Sequence, residues 1–230
     1  EGGKLLVMAG PTEEGLLENL YSLLSDYGVE AYGGIVVEKD REHFAFQAPY
    51  MLLPHMASSE ITDSLIEENY YPIMPLAQGL VIKETSGKGE VTELMSTSDL
   101  AFSKGAGYDI STYEKEEGDT DGPFALAVSV EDHSGGGIVW FTSSGFLDDI
   151  YNAYSSGANS DLGMNALSFL MGESEAMAIR SKSLNYHYLT ISDSTSSLLK
   201  VMMIGIFPLS YLGIGIGVIL RRRRMQSEAV

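Results

Sequence analysis

Residues 4–37 read KLLVMAGPTEEGLLENLYSLLSDYGVEAYGGIVV, and this stretch decides the fold class. KLLVM is a short apolar run closed by Gly10 and Pro11, the pattern of a buried strand ending in a turn. Thr12 stands where it would cap a helix over residues 13–27. In that helix Leu16, Leu17, Leu20, Leu23 and Leu24 recur at helical spacing, and Gly28 follows where a C-terminal cap belongs. Residues 29–32 and 35–37 are then extended. Strand, helix and strand within 37 residues open a βαβ unit, which predicts a parallel sheet covered by helices.

Further along, residues 50–53 read as a strand, 59–69 as an acidic amphipathic helix, and 74–82 as extended chain broken by Pro75 and Gly79. Residues 86–90 form a turn and 93–102 a strand. The glycine-rich, acidic stretch 105–122 is expected to be a long exposed loop. FALAVSV (124–130) and GIVWFT (137–142) are the clearest buried strands, paired as a hairpin or set in a wider sheet. After them come the polar turn Ser143, Ser144, Gly145, a short helix from Phe146, and a helix over 161–171. Late strands are expected at 176–180 and 186–190, and a polar lead at 193–197. The class is α/β: a mainly parallel sheet flanked by helices, in one domain over 1–195 or in two lobes divided near 103–122.

Residues 201–220, VMMIGIFPLSYLGIGIGVIL, carry no charge. As a helix they extend about 30 Å, the thickness of a bilayer core. Arg221, Arg222, Arg223 and Arg224 follow at once. Four arginines beside a span mark its cytoplasmic side, so the expected organisation is an extracytoplasmic domain, a linker and single membrane span over 196–220, and a cytoplasmic tail over 221–230. Gly213 and Gly217 are spaced for close helix packing, and Pro208 predicts a kink.

Charge narrows the function. The 230 residues hold 14 Lys+Arg against 32 Asp+Glu, and residues 1–199 alone carry a net −22. Such a surface repels phosphate backbones, which argues against nucleic acid as a partner. The absence of cysteine removes disulfides, thiolate metal sites and thiol nucleophiles. The start at Glu1, without Met or a signal peptide, reads as a fragment or a processed product.

No catalytic constellation is apparent. FTSSG around Ser143 and Ser144 lacks the first glycine of a nucleophile elbow, where Phe141 stands. The turn sits at the carboxyl end of a strand, so a ligand-binding role stays open beside a purely structural one. Glu117, Asp119, Asp121 and Gly122 mimic half of an EF-hand loop. The position of its bidentate Glu falls on Val128, within an apolar strand. Asp148 and Asp149 are adjacent and so point in different directions on a helix. His43, His55, His133 and His187 are too scattered for a zinc site. No metal, cofactor or catalytic residue is assigned, and the chain is read as a non-enzyme.

The order of motifs resembles a known family. GGKLLVMAGP, LLENLYSLLSDYGVEAYGGIVVEKD, GGIVWFTSSGFLDDIYN, NSDLGMNALSFLMGE and AIRSK, then a terminal apolar helix closed by RRRR, are similar to the gliding-motility-type auxiliary (Gldg) components of ABC transporters. The likeness spans most of residues 1–220 and is weakest over 87–122. It implies an extracytoplasmic domain akin to non-catalytic glutamine-amidotransferase-like folds, tethered in the cell membrane beside an ABC-2-type permease and its ATPase subunit. The family supplies no catalytic residues. Gly145, Asn159, Asp161 and Asn165 stand in its motifs as ligand or turn positions. The expected function is that of a bacterial accessory transport subunit acting through protein interaction or cargo binding. The alternatives are an independent ligand-binding or sensor ectodomain and an envelope hydrolase.

Overall fold

The computed structural model describes residues 2–12, 16–83, 88–172 and 193–227. The chain divides into two units, residues 1–185 and 186–230, described here separately. The expected late strands over 176–190 lie outside the described residues.

The first unit runs β1 (Lys4–Met8), α1 (Glu18–Asp26), β2 (Val29–Ala31), β3 (Ile35–Val37), β4 (Met51–Leu52), β5 (His55–Met56), α2 (Asp63–Glu68), β6 (Met74–Pro75), β7 (Leu80–Ile82), β8 (Gly89–Ser96), β9 (Phe102–Lys104), β10 (Thr120–Asp121), β11 (Ala125–Asp132), β12 (Gly137–Phe141), α3 (Asp149–Tyr154) and α4 (Ala158–Met171). Among the described residues, seven strands form the main sheet, in the order β1-β12-β11-β7-β2, with β8 also on β11 and β5 on β8. Two smaller sheets are β10-β9-β3 and β4-β6.

The class is mixed α/β, but the sheet is mostly antiparallel, which corrects the expectation of a mainly parallel one. Among the described strands only β1 beside β12 is parallel, Lys4 opposite Gly137 through Met8 opposite Phe141. The β11–β12 pair is an antiparallel hairpin within the wider sheet. β8 and β7 run antiparallel along the other edge of β11. β2 leaves β1 altogether and pairs antiparallel with β7 at the far edge. The physical reason lies in what burial reports. A strand covered on both faces is apolar throughout whichever way its neighbours run, so the runs at 124–130 and 137–141 fix burial but not direction.

Both faces of the sheet are indeed covered. Ile138 and Trp140 of β12 join Val7, Val128, Val130 and Leu24 in the core on the α1 side. Val139 and Phe141 join Leu162, Ala166 and Leu170 in the core on the α4 side. Register shifts in the β11–β8 ladder at Ala127 put the successive residues Leu126 and Ala127 in the same core.

Helix α1 begins at Glu18, and Leu17 caps it without a side-chain hydrogen bond, so Thr12 is not its cap. Its end agrees with the sequence: Gly28, at φ 85°, follows the last turn and donates to Ser25 O at 2.9 Å. Asn69, at φ 57°, ends α2.

The second unit is helical from Asp193, so the expected polar lead at 193–197 belongs to a helix. α5 (Asp193–Lys200) passes through a π-helical stretch, Val201–Ile206, into α6 (Phe207–Ser227). Pro208 has no N–H for the carbonyl four residues back and its ring crowds that carbonyl, which accounts for the irregular turn just before it. Ser197–Ile219 is long and apolar enough to cross a membrane. The arginines 221–224 are part of α6, which runs on to Ser227.

Candidate functional site

The parallel pair ends where α/β folds usually bind ligands, and here that end is filled by the protein's own polar contacts. Gly10, just past β1, approaches so closely that a Cβ would lie 2.8 Å from Thr142 O and 3.3 Å from Leu76 O. Gln78 N donates to Thr142 O at 3.0 Å, and Gln78 Nε2 to Tyr32 O at 2.6 Å. The Tyr21 hydroxyl lies 3.2 Å from both Gly10 O and Gln78 Oε1. Trp140 Nε1 donates to Ala9 O at 3.0 Å.

Four of the six candidate residues from the sequence, Ser143, Gly145, Asn159 and Asn165, converge on one partner, the segment 61–75. Buried Ser143 donates through Oγ to Pro75 O. Gly145 faces the same proline, whose Cγ would lie 3.6 Å from an added Cβ. Asn159, fully buried in the first turn of α4, accepts from Ile73 N at 2.9 Å and donates to Ile73 O at 2.8 Å and Phe146 O at 2.6 Å. One turn and a half later, Asn165 donates to Ile61 O and Ser64 Oγ at 2.8 and 2.9 Å. Asp161 lies in the first turn of α4, its N–H donating to Gly157 O. Ser144 alone of the pair is exposed. A buried amide with all these bonds made is a clamp that fixes α4 on the chain beneath it.

Among the described residues no hydrogen bond joins a histidine to either serine, and Ser143 Oγ is taken by Pro75 O. His43 Nδ1 sits 3.3 Å from Leu53 O. His133 precedes β12, the full length of the strand, about 20 Å, from Ser143. His187 lies outside the described residues. No group of three or more His, Asp or Glu is arranged to hold a metal among the described residues.

The acidic loop is held from within by Lys104, a residue the sequence reading passed over. It ends β9, its side chain 1% exposed, and its Nζ donates to Glu114 O at 2.9 Å, to Glu116 Oε2, and to Asp119 Oδ2 at 3.2 Å. The ammonium thus occupies the point where the loop's oxygens converge. The hydrogen bond to Glu116, and then the Asp119 contact, raise the Lys104 pKa against the opposing pull of burial. Burial would push Asp119 up, but N–H groups of Glu116 and Gly105 together with Lys104 hold it below its ordinary value. Glu38, also buried, accepts from Ser98 Oγ at 2.7 Å, Ser98 N and Asp40 N, and so ties the chain after β3 to the turn before β9. A base inside the apolar-flanked FSK run was the available signal for Lys104; nothing local marked Glu38 or Gln78.

The fold is similar to the solved structure of the mmIFT52 N-terminal domain, at TM-score 0.51 and 17% identity, covering 74% of this chain and 65% of that one. At that identity the likeness is one of fold. No family model and no curated protein matches the sequence.

Two outcomes follow. Asn159→Ala strands three buried backbone groups and should cost about 3 kcal/mol in urea unfolding followed by Trp140 emission, while Ser144→Ala stays within about 0.5 kcal/mol. Lys104→Met leaves Asp119 buried without its cation, so limited proteolysis of residues 105–118 should speed roughly ten-fold at neutral pH. In the unaltered chain the Asp119 contribution is complete above the ordinary carboxyl value of 3.8 and is lost as pH falls below it. The Lys104 contribution is complete below the ordinary value of 10.5 and is lost as pH rises through its raised value. Loop cleavage should therefore accelerate at the acid extreme and again at strongly alkaline pH, with a plateau between.

Proposed function

We propose that this chain is a membrane-anchored, extracytoplasmic accessory subunit of an ABC-2-type transport system, working by protein association rather than by catalysis. The observation that carries the reading is the pairing of a strongly acidic α/β unit with a terminal helix, Ser197–Ile219, able to span a bilayer and followed directly by Arg221–Arg224. The arginines favour the cytoplasmic side, which leaves the acidic unit outside.

The motif order shared with the gliding-motility-type auxiliary components supports the assignment to transport. A kinship with non-catalytic glutamine-amidotransferase-like domains forms part of the same proposal, supported by the parallel β1–β12 pair with α1 and α4 on opposite faces. The saturated contacts at the end of that pair favour an interaction role over chemistry there.

In α6, a Cβ at Gly213 or Gly217 would meet nothing within 4 Å, so that side of the helix is open to a close neighbour. The permease helices are the proposed neighbour. Mild-detergent purification of the tagged chain should recover an ABC permease and its ATPase in fixed ratio. Gly213→Leu with Gly217→Leu should reduce that recovery severalfold and leave Trp140 emission unchanged. Recovery of the chain alone, where other membrane complexes survive, would remove the transporter assignment.

A further inference from the structure

Helix α4 is apolar on two sides. Leu162, Ala166 and Leu170 enter the core, while Met164, Leu167 and Met171, spaced i, i+3, i+7, are 62%, 39% and 63% exposed. An outward helix face normally carries several charges, and here the one charged residue of α4 is Asp161, a turn before Met164. The neighbouring segment adds Leu147, just before α3, and Ile150 and Tyr154 on the helix, each more than 40% exposed.

The two stripes adjoin. The Leu147 side chain lies over Gly163, its Cδ2 3.3 Å from where a Cβ would stand, next to Met164 and one turn from Leu167. Phe46, held at φ 57°, extends the surface by setting its ring 4.6 Å from that of Tyr154. Scattered exposed apolar residues need no explanation; seven gathered on α3, α4 and the chain beside them do.

We infer that the outer face of α3 and α4 is a docking surface for a protein segment bearing apolar side chains among Lys or Arg. Two features select that occupant. From residue 116 to residue 179 the chain contains no Lys or Arg, and the exposed carboxylates Asp148 and Asp149 stand beside the apolar stripe. A basic partner meets complementary charge there, whereas a second copy would set carboxylates against carboxylates and an anionic lipid surface would be repelled. Two of the three outer α4 positions are methionine, whose unbranched chain adapts to a partner's shape. The inference rests on the reading above that the unit works by protein association, and it names the surface and the chemistry of what binds.

The test uses the full-length chain in native membranes, with the photo-crosslinker p-benzoylphenylalanine at position 167 and, as a control, at position 67 on the exposed side of α2. Position 167 should give adducts with a protein segment containing Lys or Arg. Their yield should fall about five-fold at high salt and in Asp148→Asn with Asp149→Asn, and position 67 should not give them. Adducts to lipid, to a second copy or to the chain's own residues would overturn the proposal. So would a partner segment lacking basic residues, a yield indifferent to the aspartates, or no adduct at all. If the basic partner is not a transporter subunit, the surface stands and the transport assignment falls. If permease co-purifies while position 167 stays silent, the assignment stands and the surface falls.

Discussion

The ladder that β12 makes with β1 on one side and β11 on the other is the constraint on which the first unit depends. All five β12 residues are buried, and their side chains alternate between the core against α1 and the core against α4. A strand so placed cannot shift by one residue without exchanging the two cores, since Trp140 and Phe141 would trade faces. Register there therefore fixes where β1 stops, where Gly10 meets Thr142, and where the chain emerges into the turn that leads to α3. Phe146, stacked on Phe141 at 4.8 Å, carries the constraint out of the sheet into that turn.

Polar contacts then lock the layer above. Asn159, Asn165 and Ser143 all bind backbone of the segment 61–75, at Ile61, Ile73 and Pro75, groups that lie outside α2 and need partners of their own. α4 is thus held by side-chain amides from below and left apolar above. Lys104 plays the corresponding part for the acidic loop, where a single buried cation organises a stretch that would otherwise repel itself.

Burial, the C-terminal end of α1 and the long apolar helix were legible in the sequence, because each depends on composition over a short window. The apolar runs at 4–8, 124–130 and 137–141 became β1, β11 and β12, and Gly28 became a helix end as its position implied. Strand direction was not legible, since β2 and β7, or β8 and β11, meet through pairings far apart in the chain and leave no local trace. Asn159 and Asn165 stood out as residues, but their partners at 61–73 did not, for the same reason. Lys104 was hidden because one base among many acids looks like a solvated charge until the strand carrying it is seen to be buried.

The central claim is that the acidic unit and the arginine-terminated helix end lie on opposite sides of a membrane. The chain has no cysteine, so a single one reports cleanly. The most direct measurement is labelling of Ser134→Cys, in the exposed β11–β12 turn, and of Gln226→Cys with a membrane-impermeant maleimide on intact and permeabilised cells. The account predicts that position 134 labels on intact cells and position 226 only after permeabilisation. The reverse pattern, or equal labelling of both on intact cells, would contradict it.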